Sequence, residues 1–208
     1  MMRSLILSLS LATSAFAASP AMAEELADGA QITSTDWNRL NDLDRAYGAA
    51  LREAFDDADP AELDQVLATL SGEVLTVEGF DPKAMAGEWR CRTTKIGKTV
   101  PAVTYQPFKC RISVGADGKA ALEKISGSQL TRGTLHLDGD RIVYLGAGYI
   151  NGDPPPEYAS LPPEFDVTAS PQQVPEVGVL ELLGPDRARI LFPYPHLEST
   201  MDVLLLTR

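Results

Sequence analysis

Two hydrophobic periods divide the chain. From Glu24 to Gly72 apolar residues return every three or four positions, the spacing of one helical face. Leu40, Leu43, Tyr47, Leu51 and Phe55 share a face of a helix expected to start at Trp37, with Asp36 as its cap. Asp59-Pro60-Ala61-Glu62 reads as a second start, with a capping carboxylate, proline at the first helical position and an acid in the first turn. Leu63, Val66, Leu67 and Leu70 form its apolar face, and Ser71-Gly72 ends it. Together they predict a helical hairpin. Beyond about residue 86 the period is two, and strands are predicted over 88–96, 102–114, 119–126, 130–137, 140–147, 177–183, 186–192 and 200–207.

Turn chemistry orders these strands. Gly115-Ala116-Asp117-Gly118, Asp138-Gly139-Asp140 and Gly184-Pro185-Asp186 are tight hairpin turns. The other connections are 96–101, 127–129, 193–199 and a Pro-rich stretch over 148–176. In an up-and-down meander alternate connections fall at one end. The pattern therefore predicts a mainly β protein, an eight-stranded antiparallel barrel preceded by a helical hairpin, with one end closed by tight turns and a mouth at the other. A loop of this length in a compact domain is usually functional or disordered.

Alternation also sorts the first two strands. Trp89, Cys91 and Thr93 share one face with Phe108, Cys110 and Ile112 of the next strand, so the two cysteines can pair across a hairpin. A metal or redox pair is the rival, but no C-x-x-C and no nearby histidines support it. Closing this loop contributes about 3 kcal/mol on the chain-entropy argument. Arg90, Arg92, Lys109 and Arg111 then fall on the opposite face. The interval from Arg90 to Arg111 holds six bases and no acid, whereas Glu24 to Asp64 holds twelve acids and three bases. Three readings stay open for the basic face: docking of the acidic helices, a solvated surface, or an anion-binding patch.

The first 23 residues change the compartment. Arg3 is their only charge, Leu5–Ala18 is apolar but too short to span a bilayer, and Ala21-Met22-Ala23 is a small-x-small site. These predict a signal peptide cut after Ala23, no membrane span and a periplasmic location. The oxidising compartment agrees with a disulfide. The formal charge is −11 for the whole sequence, which argues against nucleic acid as a partner. The expected organisation is a signal peptide (1–23), a helical hairpin and linker (24–85), and a barrel domain (86–208) carrying the long 148–176 loop.

The predicted mouth collects Lys98, Ser128, Gln129, Tyr149, Asn151, Tyr158, Tyr194 and His196, with Arg132 just inside. A polar, aromatic rim over an apolar barrel is a place for a ligand, although loop tyrosines also serve simply to pack loops down. No catalytic motif is present. His196 lies near Glu198 and Tyr194 but in an ordinary loop, His136 reads as a surface residue, and the serines lack a nucleophile-elbow context. No metal site or cofactor is expected.

Two resemblances follow. Gly87-Glu88-Trp89 resembles the Gly-x-Trp with which lipocalins begin their first strand, and the resemblance implies that Arg208 packs across Trp89 at the closed end. Across nearly the whole chain, WRCRTTK, FKCRIS, SGSQLTRG, YLGAGYI, PPPEY, VGVLELLG and PYPHLESTMDVLLL resemble domain-of-unknown-function family 4893, a set of exported bacterial proteins. That resemblance implies export and one type of domain, and it brings no ligand or catalytic residues. The expectation is a non-enzymatic binding module for a small or amphipathic ligand at the barrel mouth. The alternatives are an envelope protein-interaction module with a filled barrel and, last, an enzyme using the mouth loops.

Overall fold

The period-two segment from Gly87 onward closes on itself. The protein is described here by a computed structural model covering residues 23–166, 168–169 and 172–208. The predicted signal peptide therefore lies, but for Ala23, outside the described residues. The elements begin with a hairpin of β1 (Ala23–Glu25) and β2 (Gln31–Thr33), then α1 (Ser34–Asn41), α2 (Leu43–Asp57), α3 (Pro60–Leu70) and a single turn, α4 (Pro82–Met85). Sheet follows: β3 (Gly87–Ile96), β4 (Ala102–Thr104), β5 (Phe108–Val114), β6 (Ala120–Lys124), β7 (Gln129–Asp138), β8 (Arg141–Ile150), β9 (Val174–Gly184), β10 (Arg187–Pro193) and β11 (Met201–Thr207). Neighbours run in chain order, and β11 pairs back on β3 from Arg90 to Ile96. Eight strands thus form a closed antiparallel up-and-down barrel, the fold expected from the sequence, and the short β4 pairs with β3 alone.

One predicted strand is broken. Over 102–114 the chain makes two strands, β4 and β5, both on the same side of β3. Cys91 stands opposite Phe108 and Thr94 opposite Thr104, so two residues of β3 face the three residues Tyr105-Gln106-Pro107. Pro107 has no N–H to give to the ladder, which is why pairing lapses there.

The lower lumen is packed solid. Trp89, Cys91, Ile112, Leu122, Leu135, Tyr144, Leu180, Ile190 and Leu206 are buried in one cluster drawn from all eight barrel strands. Val77, Phe80 and Met85 of the segment before β3 pack onto it and plug the tight-turn end. Trp89 Nε1 donates to the carbonyl of Met85 at 2.8 Å, and the Arg208 guanidinium lies 4.0 Å from the Trp89 ring centroid while donating to the Ala84 carbonyl at 2.8 Å. Cys91 and Cys110 form a disulfide inside this core, with Cα atoms 5.7 Å apart.

The helices pack on the outer wall. The first helix starts differently from the sequence expectation; of the expected faces Leu40, Leu43, Tyr47 and Leu51, and Leu63, Val66 and Leu70, do turn inward, whereas Phe55 and Leu67 do not. Thr33, not Asp36, caps α1, accepting from the Asp36 N–H at 3.1 Å. The expected long helix breaks at Asp42 into α1 and α2. In α2 the fully buried positions are Ala46, Ala50 and Ala54, while Phe55 is 57% exposed. The alanines allow close approach of the helix to Ile96, Leu191, Met201 and Val203 of the wall. In α3 Val66 is buried, capped as expected by Asp59, and Leu67 faces solvent. The β1–β2 hairpin, unforeseen in the sequence, lays Leu26 and Ile32 on Val143, Leu145 and Val177. Its turn covers His136, expected at the surface: His136 Nδ1 sits 2.9 Å from Asp28 Oδ2 and the residue is buried. No helix among the described residues is long and apolar enough to cross a membrane.

Candidate functional site

Alternation carries the inward phase of each strand upward from the apolar core. In β3, Trp89 and Cys91 are followed inward by Thr93 and Lys95; in β6, Leu122 by Lys124; in β7, Leu135 is preceded by Thr131 and Gln129. In β9, Leu180 is preceded by Glu176, and in β11, Leu204 by Asp202. The upper lumen is therefore polar. Lys95, Lys124, Glu176 and Asp202 converge on a cavity of about 80 Å³, walled on its apolar side by Leu130, Phe192 and Leu204. A second cavity of about 60 Å³ shares Lys95, Gln129, Glu176 and Asp202 with the first and opens towards Tyr149 and His196.

Small residues make room for these groups. Gly148 faces inward on β8, and a Cβ there would lie 2.6 Å from Glu176 Oε1. Gly133 and Gly146 accommodate the Tyr144 ring in the same way, which accounts for the glycines of YLGAGYI. The Tyr144 hydroxyl and Thr131 Oγ1 are 2.6 Å apart, and Thr131 hydrogen-bonds the Glu176 carboxyl.

Burial dominates the electrostatics. It pushes Glu176 up to about 7, against the Thr131 hydrogen bond and with the Asp202 charge adding to the rise. Burial likewise raises Asp202 to about 6, although Lys95 and the Ser199 hydroxyl, 2.5 Å from Oδ1, favour its anion. For Lys95, burial opposes the charge, but Asp202 and an ion pair with Glu198 at 2.6 Å outweigh it and raise its pKa. Lys124 is different. Burial lowers its pKa, Glu176 opposes that, and Lys95 adds to it.

The rim is a hydrogen-bonded latch. Arg39 of α1 is buried, donates to Asp36 Oδ1 at 2.7 Å and to the Pro193 carbonyl at 3.2 Å, and meets His196 Nε2 at 3.1 Å. The Tyr158 hydroxyl donates to Asp36 Oδ2 at 2.7 Å. This ties the β8–β9 and β10–β11 loops to α1. Burial, reinforced by Arg39, pushes His196 down to about 4, so it is neutral at pH 7 and accepts from Arg39. Tyr194 and Glu198 hold left-handed backbone, with φ of 45° and 47°, in the loop that delivers His196 and Ser199 to the mouth.

The expected mouth residues separate. Gln129, Tyr149 and His196 line the two cavities, and Ser128 lines a third of about 80 Å³ that shares Thr93, Lys124 and Gln129 with the first. Asn151, Tyr158 and Tyr194 hold loops together: Asn151 Nδ2 donates to the Gly127 carbonyl at 3.1 Å, and the Tyr194 N–H to the Thr200 carbonyl at 3.0 Å. Lys98 lies at the junction with α2, its N–H donating to Glu53 Oε2 at 2.7 Å. Arg132 stands exposed on the outer wall, because its neighbour Thr131 takes the inward position. Missed from the sequence were Lys95, Lys124, Thr131, Glu176, Asp202 and Arg39. The first five carried a signal: each is a polar residue in phase with the apolar, inward set of its own strand.

The basic outer face does not receive the acidic helices. Arg111 pairs with Glu88 at 2.6 Å, Arg92 Nε donates to the Tyr105 carbonyl at 3.0 Å, and Arg90 and Lys109 stand exposed opposite each other. Among the described residues none of the four forms an ion pair with α1–α3. The helices meet β3 and β4 higher up, through Thr69 and Thr94 at 3.4 Å and the Thr104 N–H to Glu62 Oε2 at 3.0 Å.

Residues 29–206, which take in the barrel but for the last residue of β11, match the family described as Domain of unknown function (DUF4893). The chain belongs to DUF4893. The matched region takes in α1, so the Asp36–Arg39 latch and the lumen quartet both lie within the DUF4893 unit. Among solved structures, the DUF4893 chain is similar to a protein with unknown function from the DUF3598 family of Nostoc punctiforme, at 13% identity and a TM-score of 0.35. That match covers 65% of this chain and spans about half, 49%, of the other. No curated protein matches.

Proposed function

We propose that this DUF4893 protein is a non-enzymatic binding module, exported to the periplasm, that holds a small polar ligand in the upper lumen of its barrel. One observation carries the reading. Four ionisable side chains from four strands face one cavity above a filled apolar floor. Removing charges from water costs several kcal/mol per ion, and apolar replacements of buried pairs are often neutral or stabilising, so stability alone does not account for such a lining. Cavities of about 80 and 60 Å³ suit a ligand of a few heavy atoms. The packed lower lumen leaves no room for a long acyl chain, which narrows the expected class from amphipathic to small and polar.

The absence of catalysis is part of the proposal. The one histidine at the mouth has its Nε2 engaged by Arg39, and the Ser199 hydroxyl donates to Asp202 rather than to a histidine. Export is supported by the Cys91–Cys110 disulfide, which suits an oxidising compartment. A second reading, a protein-interaction module of the envelope, draws on the exposed side chains of Phe55, Leu67, Val74 and Leu75.

Native mass spectrometry of protein purified from the periplasm tests the first reading. A reproducible small added mass that leaves on denaturation supports it. A clean mass, with a larger protein partner recovered in its place, favours the interaction module.

A further inference from the structure

We propose that the ligand is a small carboxylate carrying a hydrogen-bond donor beside its carboxyl group, with the carboxylate on Lys124 and the donor on Glu176. The inference rests on the binding-module reading and names the chemistry of that same site.

The lumen charges are not equally committed. Lys95 is taken by Glu198 at 2.6 Å, and Asp202 Oδ1 by the Ser199 hydroxyl. Lys124 is only 8% exposed, yet among the described residues no carboxylate lies within 4.0 Å of it. Its Nζ donates to the Gln129 carbonyl at 2.6 Å and lies 4.0 Å from the Phe108 ring centroid. An ammonium has three N–H donors, so two remain for an acceptor in the cavity. Glu176 also lacks an ion-pair partner among the described residues; Thr131 supplies its one side-chain hydrogen bond. Both groups line the same cavity. A buried cation with free donors, beside a buried acceptor, is a complementary template for a molecule that presents an anion and a donor together.

Charge selects the anion further. Glu176 and Asp202 line the cavity with the lysines, so a dianionic phosphate would bring two negative charges against two carboxyl groups. A monocarboxylate matches the single uncommitted lysine. The apolar wall of Leu130, Phe192 and Leu204 can take a short alkyl substituent. Hydroxy acids and amino acids share this chemistry, and the probes below separate them.

The test uses the full exported protein in a buffer free of carboxylates. Lactate, alanine, propionate, lactamide and ethanolamine are titrated separately, with calorimetry and amide chemical shifts as readouts. Lactate or alanine should bind, with shifts at β6, β7 and β9. Propionate should bind more weakly, and lactamide and ethanolamine at least tenfold more weakly. Lys124→Met should weaken the best acid about 10- to 100-fold, the loss of a charge-assisted hydrogen bond, while the protein stays folded because a buried charge is replaced by an apolar chain of similar length. Glu176→Met should erase the advantage of lactate or alanine over propionate. Lactamide binding as tightly as lactate, with the same shifts, overturns the carboxylate assignment but leaves the binding module standing. No shift from any probe at tens of millimolar also overturns the assignment, and the native mass measurement judges the module separately.

Discussion

Glu176 offers a sharp check on the reading of the upper lumen. Replace it with glutamine, which keeps the shape and the hydrogen-bonding carbonyl but cannot ionise. In the folded protein burial holds the Glu176 carboxyl at about 7, against 4.5 in an unperturbed chain. Between those values the folded state keeps a proton that the unfolded chain has released. Stability contributed by this group is therefore full below about 4.5 and declines as pH rises towards 7. By linkage the decline amounts to about 3 kcal/mol once the folded carboxyl is ionised. Glutamine has no such dependence. The stability difference between Glu176→Gln and the parent should be small at about pH 4 and grow to about 3 kcal/mol in favour of the variant at about pH 8.

Two other groups titrate nearby. Asp202, raised to about 6, adds a decline of the same sign, whereas His196, lowered to about 4, adds stability that is gained as pH rises from about 4 to 6.5. Both are present in the parent and the variant, so their own titrations largely cancel and the comparison reads Glu176 together with its coupling to Asp202. The assay is urea unfolding at matched ionic strength, again without carboxylate buffers, which could occupy the proposed site. An offset between the two proteins that stays constant from about pH 4 to pH 8 would refute a buried, proton-holding Glu176.

Further expectations follow from the frame around the site. Reduction should lower the stability of the barrel by about 3 kcal/mol and raise the denatured mass by about two daltons; Cys110→Ser should reproduce the loss and abolish the reductant effect, and a reductant-sensitive Cys110→Ser protein would contradict the assignment. Tyr158→Phe removes the donor to Asp36 and should cost about 1 kcal/mol, with faster hydrogen exchange over 151–166 and in α1; unchanged exchange there would show that the latch does not hold the loop. Gly148→Ala puts a methyl group 2.6 Å from Glu176 Oε1 and should cost about 1–3 kcal/mol. It should also abolish binding of the small probe acids, and intact binding would mean that Glu176 is not positioned by the open space at Gly148.

Much of the barrel was legible along the chain because a strand's side-chain period is local. Tight turns at 115–118, 138–140 and 184–186 announced the closed end, and the shared phase of Cys91 and Cys110 announced their pairing. The break at Tyr105–Pro107 escaped notice because one proline in an alternating run does not say which ladder bond it will remove. The face of α2 was legible in Leu43, Tyr47 and Leu51, but the deepest contacts are alanines: Ala50 and Ala54 bury because they let α2 approach the wall, while Phe55, more hydrophobic, stays in water.

The site was harder, for a related reason. Hydropathy expects charged residues to face outward, which hides Lys95, Lys124 and Asp202 although their phase matches Trp89, Leu122 and Leu204, and Glu176 falls in the stretch expected as loop because β9 starts three residues before the expected strand. By itself the sequence determined the periods, the turns and the phase of each strand, because these depend on neighbours a few residues apart. Only the tertiary structure decided which face of the closed sheet became the lumen and how far its apolar filling rose. It alone brought four distant charges, and an arginine from the first helix, to one small cavity, because closure joins β3 to β11 across more than a hundred residues of chain.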